Sequence, residues 1–226
     1  MRNILIVLAL VAVLGVAAYW YSRSSSHMLP IASGDSIESW DFQGSYNDDG
    51  PNEKRARDEI VRSEAGLEDE ATDPTDYVLY VSISNQYMLL GEGKAAYEAL
   101  GKALEIDAEK TGLAWHNLGS LMERLGAINT ARIAYEKAAE VQPVVEAYHS
   151  ARVQFLLKYF PEDSAALEAA FSRAERTFGT DHPVVMQLRY EWLVKQGKTE
   201  EAAAMLERLT ARVGEGAGES SFKTVE

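Results

Sequence analysis

Residues 112–143 read GLAWHNLGSLMERLGAINTARIAYEKAAEVQP. The apolar residues fall into two helical stripes. Leu113, Trp115, Leu118, Leu121, Met122 and Leu125 recur at helical spacing until Gly126 stops them. Ile133, Ala134, Ala138 and Val141 make a second stripe, which begins near Asn129 and ends at Pro143. Gly119 on the first helix, and Ala131 and Ala138 on the second, stand where two helices would touch. The stretch therefore reads as a tight antiparallel helical hairpin with a short turn. Leucine at position 119 would force extra methylenes into that contact, whereas alanine is expected to be far milder.

The run Trp115-x-x-Leu118-Gly119-x-x-Met122, then Ala131-x-x-x-Tyr135, then Pro143, resembles the tetratricopeptide repeat, with Met122 in place of the usual aromatic. Weaker hairpins flank it. One spans 77–108, with Tyr80-x-x-Ile83-Ser84-x-x-Tyr87, a turn at Gly91, then Ala96-x-x-x-Leu100 and Ala103-Leu104. Another, at 145–178, places Tyr148, Ala151, Phe155 and Leu156 on one face, with Pro161 starting a second helix that carries Leu167, Phe171 and Ala174. A last one, at 181–212, has Asp181 or Thr180 as N-cap, Pro183 in the first turn, Gly197 at the bend, and Ala202, Leu206 and Leu209 facing inward. Its entry string FGTDHPVV resembles the linker of kinesin-light-chain repeats. One hairpin cannot bury its apolar face alone, so stacked neighbours must share a core. The resemblance implies an all-α, right-handed superhelical solenoid of about four hairpins over 77–212.

At the other end of the chain, residues 4–21 read ILIVLALVAVLGVAAYWY, without a charge. An apolar run of that length can span a bilayer, and Tyr19, Trp20 and Tyr21 suit its interface. A cleaved signal peptide is the rival, with Val16-x-Ala18 as its cleavage site. The length favours an uncleaved N-terminal transmembrane anchor over 1–22. Leaving the short N-terminal tail in the cytoplasm gives a single-pass membrane protein with its C-terminal domain outside the cytoplasm.

Residues 31–75 hold 13 Asp/Glu against 4 Lys/Arg. Low hydrophobicity with high charge predicts an acidic, largely disordered tether over 23–76, interrupted by a possible helix at 52–67 with Ala56, Ile60 and Val61 on a narrow stripe. Ile37, Trp40, Phe42 and Tyr46 are out of keeping with so polar a stretch and are expected to pin it onto the helical domain. The Gly- and Ser-rich tail at 213–226 reads as disordered.

The net charge of -13 argues against a nucleic-acid partner. Cysteine is absent, which removes disulfides, thiol chemistry and a lipoprotein anchor. The histidines are His27, His116, His149 and His182, with no H-E-x-x-H and a single E-x-x-H at Glu146. No metal site, cofactor or catalytic constellation is expected. Gly91-x-Gly93-Lys94 lacks the remainder of a phosphate loop and reads as a turn.

In the repeat family, the position after the first-helix aromatic points into a groove. Aligning Trp115 with Tyr148 puts His116 and His149 there. The resemblance adds Val78, Val81, Asn85, Met88, Ser120, Glu123, Arg124, Val153 and Leu156 to the same surface. Asn85 suits the family's carboxylate clamp, but Val81 stands where lysine is wanted, so a ligand of the chaperone type is not expected. The implied function is non-catalytic: a scaffold or assembly factor of the cell envelope that binds a protein or peptide in the concave groove. The alternatives are a self-associating structural protein and a non-catalytic subunit that takes a non-protein ligand in the groove.

Overall fold

The computed structural model describes residues 31–67 and 75–213. The proposed anchor at 4–21 and the tail beyond 213 lie outside the described residues. Nine helices run through them: α1 Pro51–Leu67, α2 Asp76–Leu90, α3 Gly93–Ile106, α4 Leu113–Arg124, α5 Ile128–Val141, α6 Glu146–Tyr159, α7 Ser164–Phe178, α8 Pro183–Lys195 and α9 Thr199–Val213. No helix among the described residues is long and apolar enough to cross a membrane. The described residues are helical as expected, and the chain divides into two compact units. One contains Gln43–Ile106; the other joins Ala32–Phe42 to the residues from Asp107 onward.

In the first unit α1 packs against the α2–α3 hairpin. Ala56 and Ile60 share a cluster with Ile83, Leu90 and Ala99, with Tyr46 and Tyr87 at its edge. Val61, read from sequence as part of the stripe, is 65% exposed, and Ser63 is buried in its place. The geometry explains this: Ser63 lies three residues on from Ile60, on the same helical face, whereas Val61 has turned away from it. Arg57 pairs with Glu53 at 2.8 Å and with Glu92 at 2.9 Å, tying α1 to the α2–α3 turn. That turn falls at Gly91, as its sequence suggests.

The second unit holds α4 to α9. Its first hairpin turns through Gly126, whose φ of 75° suits glycine. Gly119 lies against the Tyr135 ring. A Cβ built there would sit 2.7 Å from Cδ1 and 2.8 Å from Cε1. The ring is buried and cannot swing clear. Alanine is therefore not the mild change the sequence suggests.

Several helix starts differ from expectation. α7 begins at Ser164, not Pro161, because Asp163 caps it, its Oδ1 accepting from Ala166 N at 3.0 Å. α8 starts after His182. Asp181 is drawn off to Arg208, at 2.6 Å, and caps nothing. Leu206 is 38% exposed, so the inward face of α9 rests on Ala202 and Leu209.

The acidic stretch expected as a disordered tether is ordered over 31–67. Residues 32–42 form a strap on the second unit. The residue before α5 is Ala127, which has no side-chain oxygen to cap the helix. Asp35 supplies one from far upstream in sequence. Its Oδ1 accepts from Asn129 N at 3.1 Å and its Oδ2 from Thr130 N at 2.7 Å. The Asn129 amide and the Thr130 hydroxyl add bonds at 2.8 and 2.7 Å, and Ala32 N donates back to Thr130 Oγ1 at 2.9 Å. The carboxylate thus satisfies backbone donors that a helix start otherwise leaves open. Further along the strap, the Phe42 ring lies under the Arg124 guanidinium at 5.5 Å.

Two outcomes test this packing. Gly119→Ala should lower stability by about 1–3 kcal/mol through overpacking, more than the roughly 1 kcal/mol that helix propensity returns. Thermal melts followed by far-UV circular dichroism measure it, and a melting temperature at or above wild type would contradict the Tyr135 contact. Asp35→Ala should cost about 0.5–2 kcal/mol as a lost cap. Desolvation pushes the Asp35 carboxyl upward, but the bonds from Thr130 and Asn129 outweigh it and hold it below its ordinary value of 3.8. A depressed carboxyl stabilises above its unfolded value and loses that effect as pH falls through the folded one. The gap between wild type and Asp35→Ala in urea unfolding should therefore be full at pH 7 and close in acid below about pH 4.

Candidate functional site

The residues expected to line one groove are divided between the two units. In the first, Val78, Val81, Asn85 and Met88 lie along α2. Val78 is exposed at 46%, Asn85 and Met88 are half-buried, and Val81 is buried at 3%. Val81 therefore belongs to the packing of its unit and not to an open surface.

In the second unit, α4 presents His116, Ser120 and Glu123 half-buried and Arg124 exposed. Its partners expected on α6 are displaced. His149, Val153 and Leu156 are all buried, at 3%, 1% and 2%. Val153 and Leu156 belong to the core with Leu167, Phe171 and Val185. The physical reason is a one-residue error of register. Trp115 is buried and its Nε1 donates to Ala108 O, seven residues back, at 2.8 Å. His149 is buried in the same way, its Nε2 2.9 Å from Pro143 O, six residues back. His149, not Tyr148, thus occupies the place that Trp115 holds. A carbonyl can only accept, so Nε2 carries the proton; Nδ1 is buried and finds no partner among the described residues. The Phe178 ring meets His149 edge-on at 5.3 Å.

With His149 matched to Trp115, the α6 residues equivalent to Ser120 and Arg124 are Gln154 and Lys158. Neither is among the groove residues expected from the sequence. A strict repeat period of about 34 residues would have found them. Together with Glu123, Tyr135, Ala151 and Phe155 they line a cleft of about 210 Å³. Tyr135 and Phe155 form its aromatic floor, their ring centroids 5.2 Å apart. Across it, Lys158 Nζ donates to Glu123 Oε1 at 2.9 Å and Tyr135 Oη donates to Oε2 at 3.0 Å.

Charge and burial are coupled here. Desolvation raises the Glu123 carboxyl, but bonds from Lys158 and Tyr135 with the Lys158 charge pull it below the usual range. Burial, then the Glu123 charge, pushes the Tyr135 phenol up. Lys158 is raised by Tyr159 and then Glu123. All three therefore keep their neutral-pH forms, and the cleft presents a fixed ion pair above an apolar floor. His116 borders it, with its ring 5.8 Å from Tyr135 and 5.3 Å from Tyr148. Among the described residues no cluster of three or more metal-binding side chains occurs.

Residues 113–144 match the tetratricopeptide repeat. Two crystal structures of MamA are similar in fold. One has a TM-score of 0.54 at 17% identity and covers 74% of this chain and 96% of that one. The other has a TM-score of 0.54 at 18% identity, with 80% and 96% covered. No curated protein matches the sequence. The chain thus carries a tetratricopeptide repeat at 113–144, and its likeness to MamA is one of fold.

Buried His149 and half-buried His116 make stability depend on pH. Burial lowers both His116 and His149; for His149 the charges of Arg152 and Arg173 add to it, and the bond to Pro143 O opposes it. As pH falls below the ordinary value of 6.5, the unfolded chain takes up protons that the folded chain refuses, so stability is lost. His149→Gln keeps an N–H donor for Pro143 O but does not titrate. Its loss of melting temperature between about pH 7 and pH 5.5 should be smaller than that of wild type. Equal losses would show that His149 takes up its proton without unfolding.

Proposed function

We propose that this chain is a single-pass membrane protein whose helical repeats bind a protein partner as a non-catalytic scaffold or assembly factor of the cell envelope. The observation that carries the binding reading is the cleft between α4, α5 and α6, with its aromatic floor and its Glu123–Lys158 rim. An extended peptide suits it. An apolar side chain can rest on Tyr135 and Phe155, while the Gln154 amide offers a donor and an acceptor to the peptide backbone. Glu123 and Lys158 then select by excluding partners of the wrong charge pattern. The repeat at 113–144 supports a protein partner, since such hairpins expose surfaces of this kind.

The uncharged run at 4–21 supports membrane attachment, with the repeats outside the cytoplasm. Full-length protein should then stay in the membrane fraction after alkaline carbonate washing. Release by carbonate would remove the anchor from this reading.

Partner binding is tested by capture from detergent extracts with wild type, Gln154→Trp and Lys158→Glu in parallel. Gln154 is exposed, so Gln154→Trp should melt close to wild type, whereas Lys158→Glu sets a second carboxylate against Glu123 and should melt somewhat lower while still folding. A partner captured by wild type should bind each variant about tenfold or more weakly in a direct titration. Unchanged affinity in both variants would rule out this cleft as the binding face.

A further inference from the structure

A second cavity, of about 130 Å³, opens between α5, α6 and α7 in the same unit. It is separate from the protein-binding reading above. Its volume corresponds to roughly four waters at about 30 Å³ each. One side is apolar, formed by Phe155, Leu156, Ala166 and Ala169; the other carries Arg132, Glu136 and Arg152.

Arg152 is the unusual member. Its side chain is only 10% exposed, yet the acceptor it meets is one oxygen, Glu136 Oε1 at 2.7 Å. A guanidinium has five N–H donors in a planar fork. The remaining N–H groups of this cavity-lining residue are not sealed from solvent, so a bound acceptor can take the place of water on them. Glu136 is itself half-exposed and holds only one edge. Arg132 cannot help, because it is a like charge and already engaged: its Nη2 donates to Asp163 at 2.9 Å and its guanidinium lies over Phe160 at 4.7 Å. Desolvation lowers the Arg152 pKa, and the charges of Arg173 and Arg132 add to that effect against Glu136. Two arginines, Arg132 and Arg152, thus line one cavity in a chain whose net charge is -13.

We propose that this cavity is a binding site for a short aliphatic carboxylate, whose oxygens take the open donors of Arg152 while its carbon chain lies against Leu156, Ala166 and Ala169. The apolar side and the Glu136 carboxylate on the rim favour a monoanion with a hydrocarbon tail over a compact dianion such as phosphate. The carboxylate belongs either to a free organic acid or to the end of a peptide chain.

Thermal melts of the full chain, at constant ionic strength, test this with butyrate as the probe. Butyrate should raise the melting temperature saturably, whereas butyramide and inorganic phosphate should leave it in place. Arg152→Met should weaken the butyrate response about tenfold or more, as for a lost bond to a charged group. If that variant does not fold, Ala169→Phe decides, because it fills the cavity from an exposed position and leaves Arg152 intact. No response to butyrate, an equal response to butyramide or phosphate, or an undiminished response in Ala169→Phe would each overturn the proposal. N-acetyl-trialanine with a free or amidated end distinguishes the sources. A response to the free-ended peptide at lower concentration than to butyrate assigns the site to a chain terminus; the reverse order assigns it to a free acid.

Discussion

The second unit is built around a missing side chain. Because position 119 has no Cβ, the Tyr135 ring can lie directly on the α4 backbone. That close approach fixes three further contacts. The phenol reaches Glu123, which in turn holds Lys158 on α6. The ring edge meets His116, and its other neighbour is Phe155. The α4–α5 hairpin and its junction with α6 therefore hang on one glycine–tyrosine pair. Apolar burial supplies most of the free energy, but this pair sets the spacing at which the helices stack.

Local features were the legible ones. The α4–α5 hairpin could be read directly, because Trp115, Leu118, Gly119, Ala131 and Tyr135 fit a pattern in which residue type and spacing agree. The turn at Gly91 was equally plain. The register of α6 was not, because Tyr148 is a tempting aromatic next to the histidine that fills the tryptophan's place. Histidine buried as an indole substitute has no composition signal; it stands one repeat period of about 34 residues after Trp115, and the bond to Pro143 O bears that register out. The cleft was half legible for that reason: Glu123 was named, whereas Gln154 and Lys158 followed only once the register was right.

The strap was legible in part: Phe42 was expected to pin it and does meet Arg124, whereas the contact at Asp35 was hidden for a different reason. The strap's composition is that of a disordered segment, and composition is an average. Its densest attachment is one carboxylate meeting two backbone amides and two side chains on α5. Nothing periodic in residues 32–42 announces such a contact, and its target, an uncapped helix start after Ala127, is itself visible only as an absence. Elsewhere too, acidic residues work as fastenings: Asp163 caps α7 and clamps Arg132, while Glu168 and Glu175 hold Arg189. An excess of negative charge thus coexists with ordered structure, since many of the carboxylates have donors to hold.

The strap also makes the second unit discontinuous along the chain, and this has a consequence for biosynthesis. Asp35 and Thr130 are separated by 95 positions. At a synthesis rate of roughly 5–20 residues per second, the carboxylate leaves the ribosome about 5–20 s before its helix exists. The stretch Gln43–Ile106 is translated entirely within that interval and is the first compact unit that can close. Residues 32–42 must meanwhile stay unattached and soluble, which their acidic, Ser-rich composition allows. The same composition that argues for disorder from sequence is then what keeps the strap available until α5 emerges to receive it.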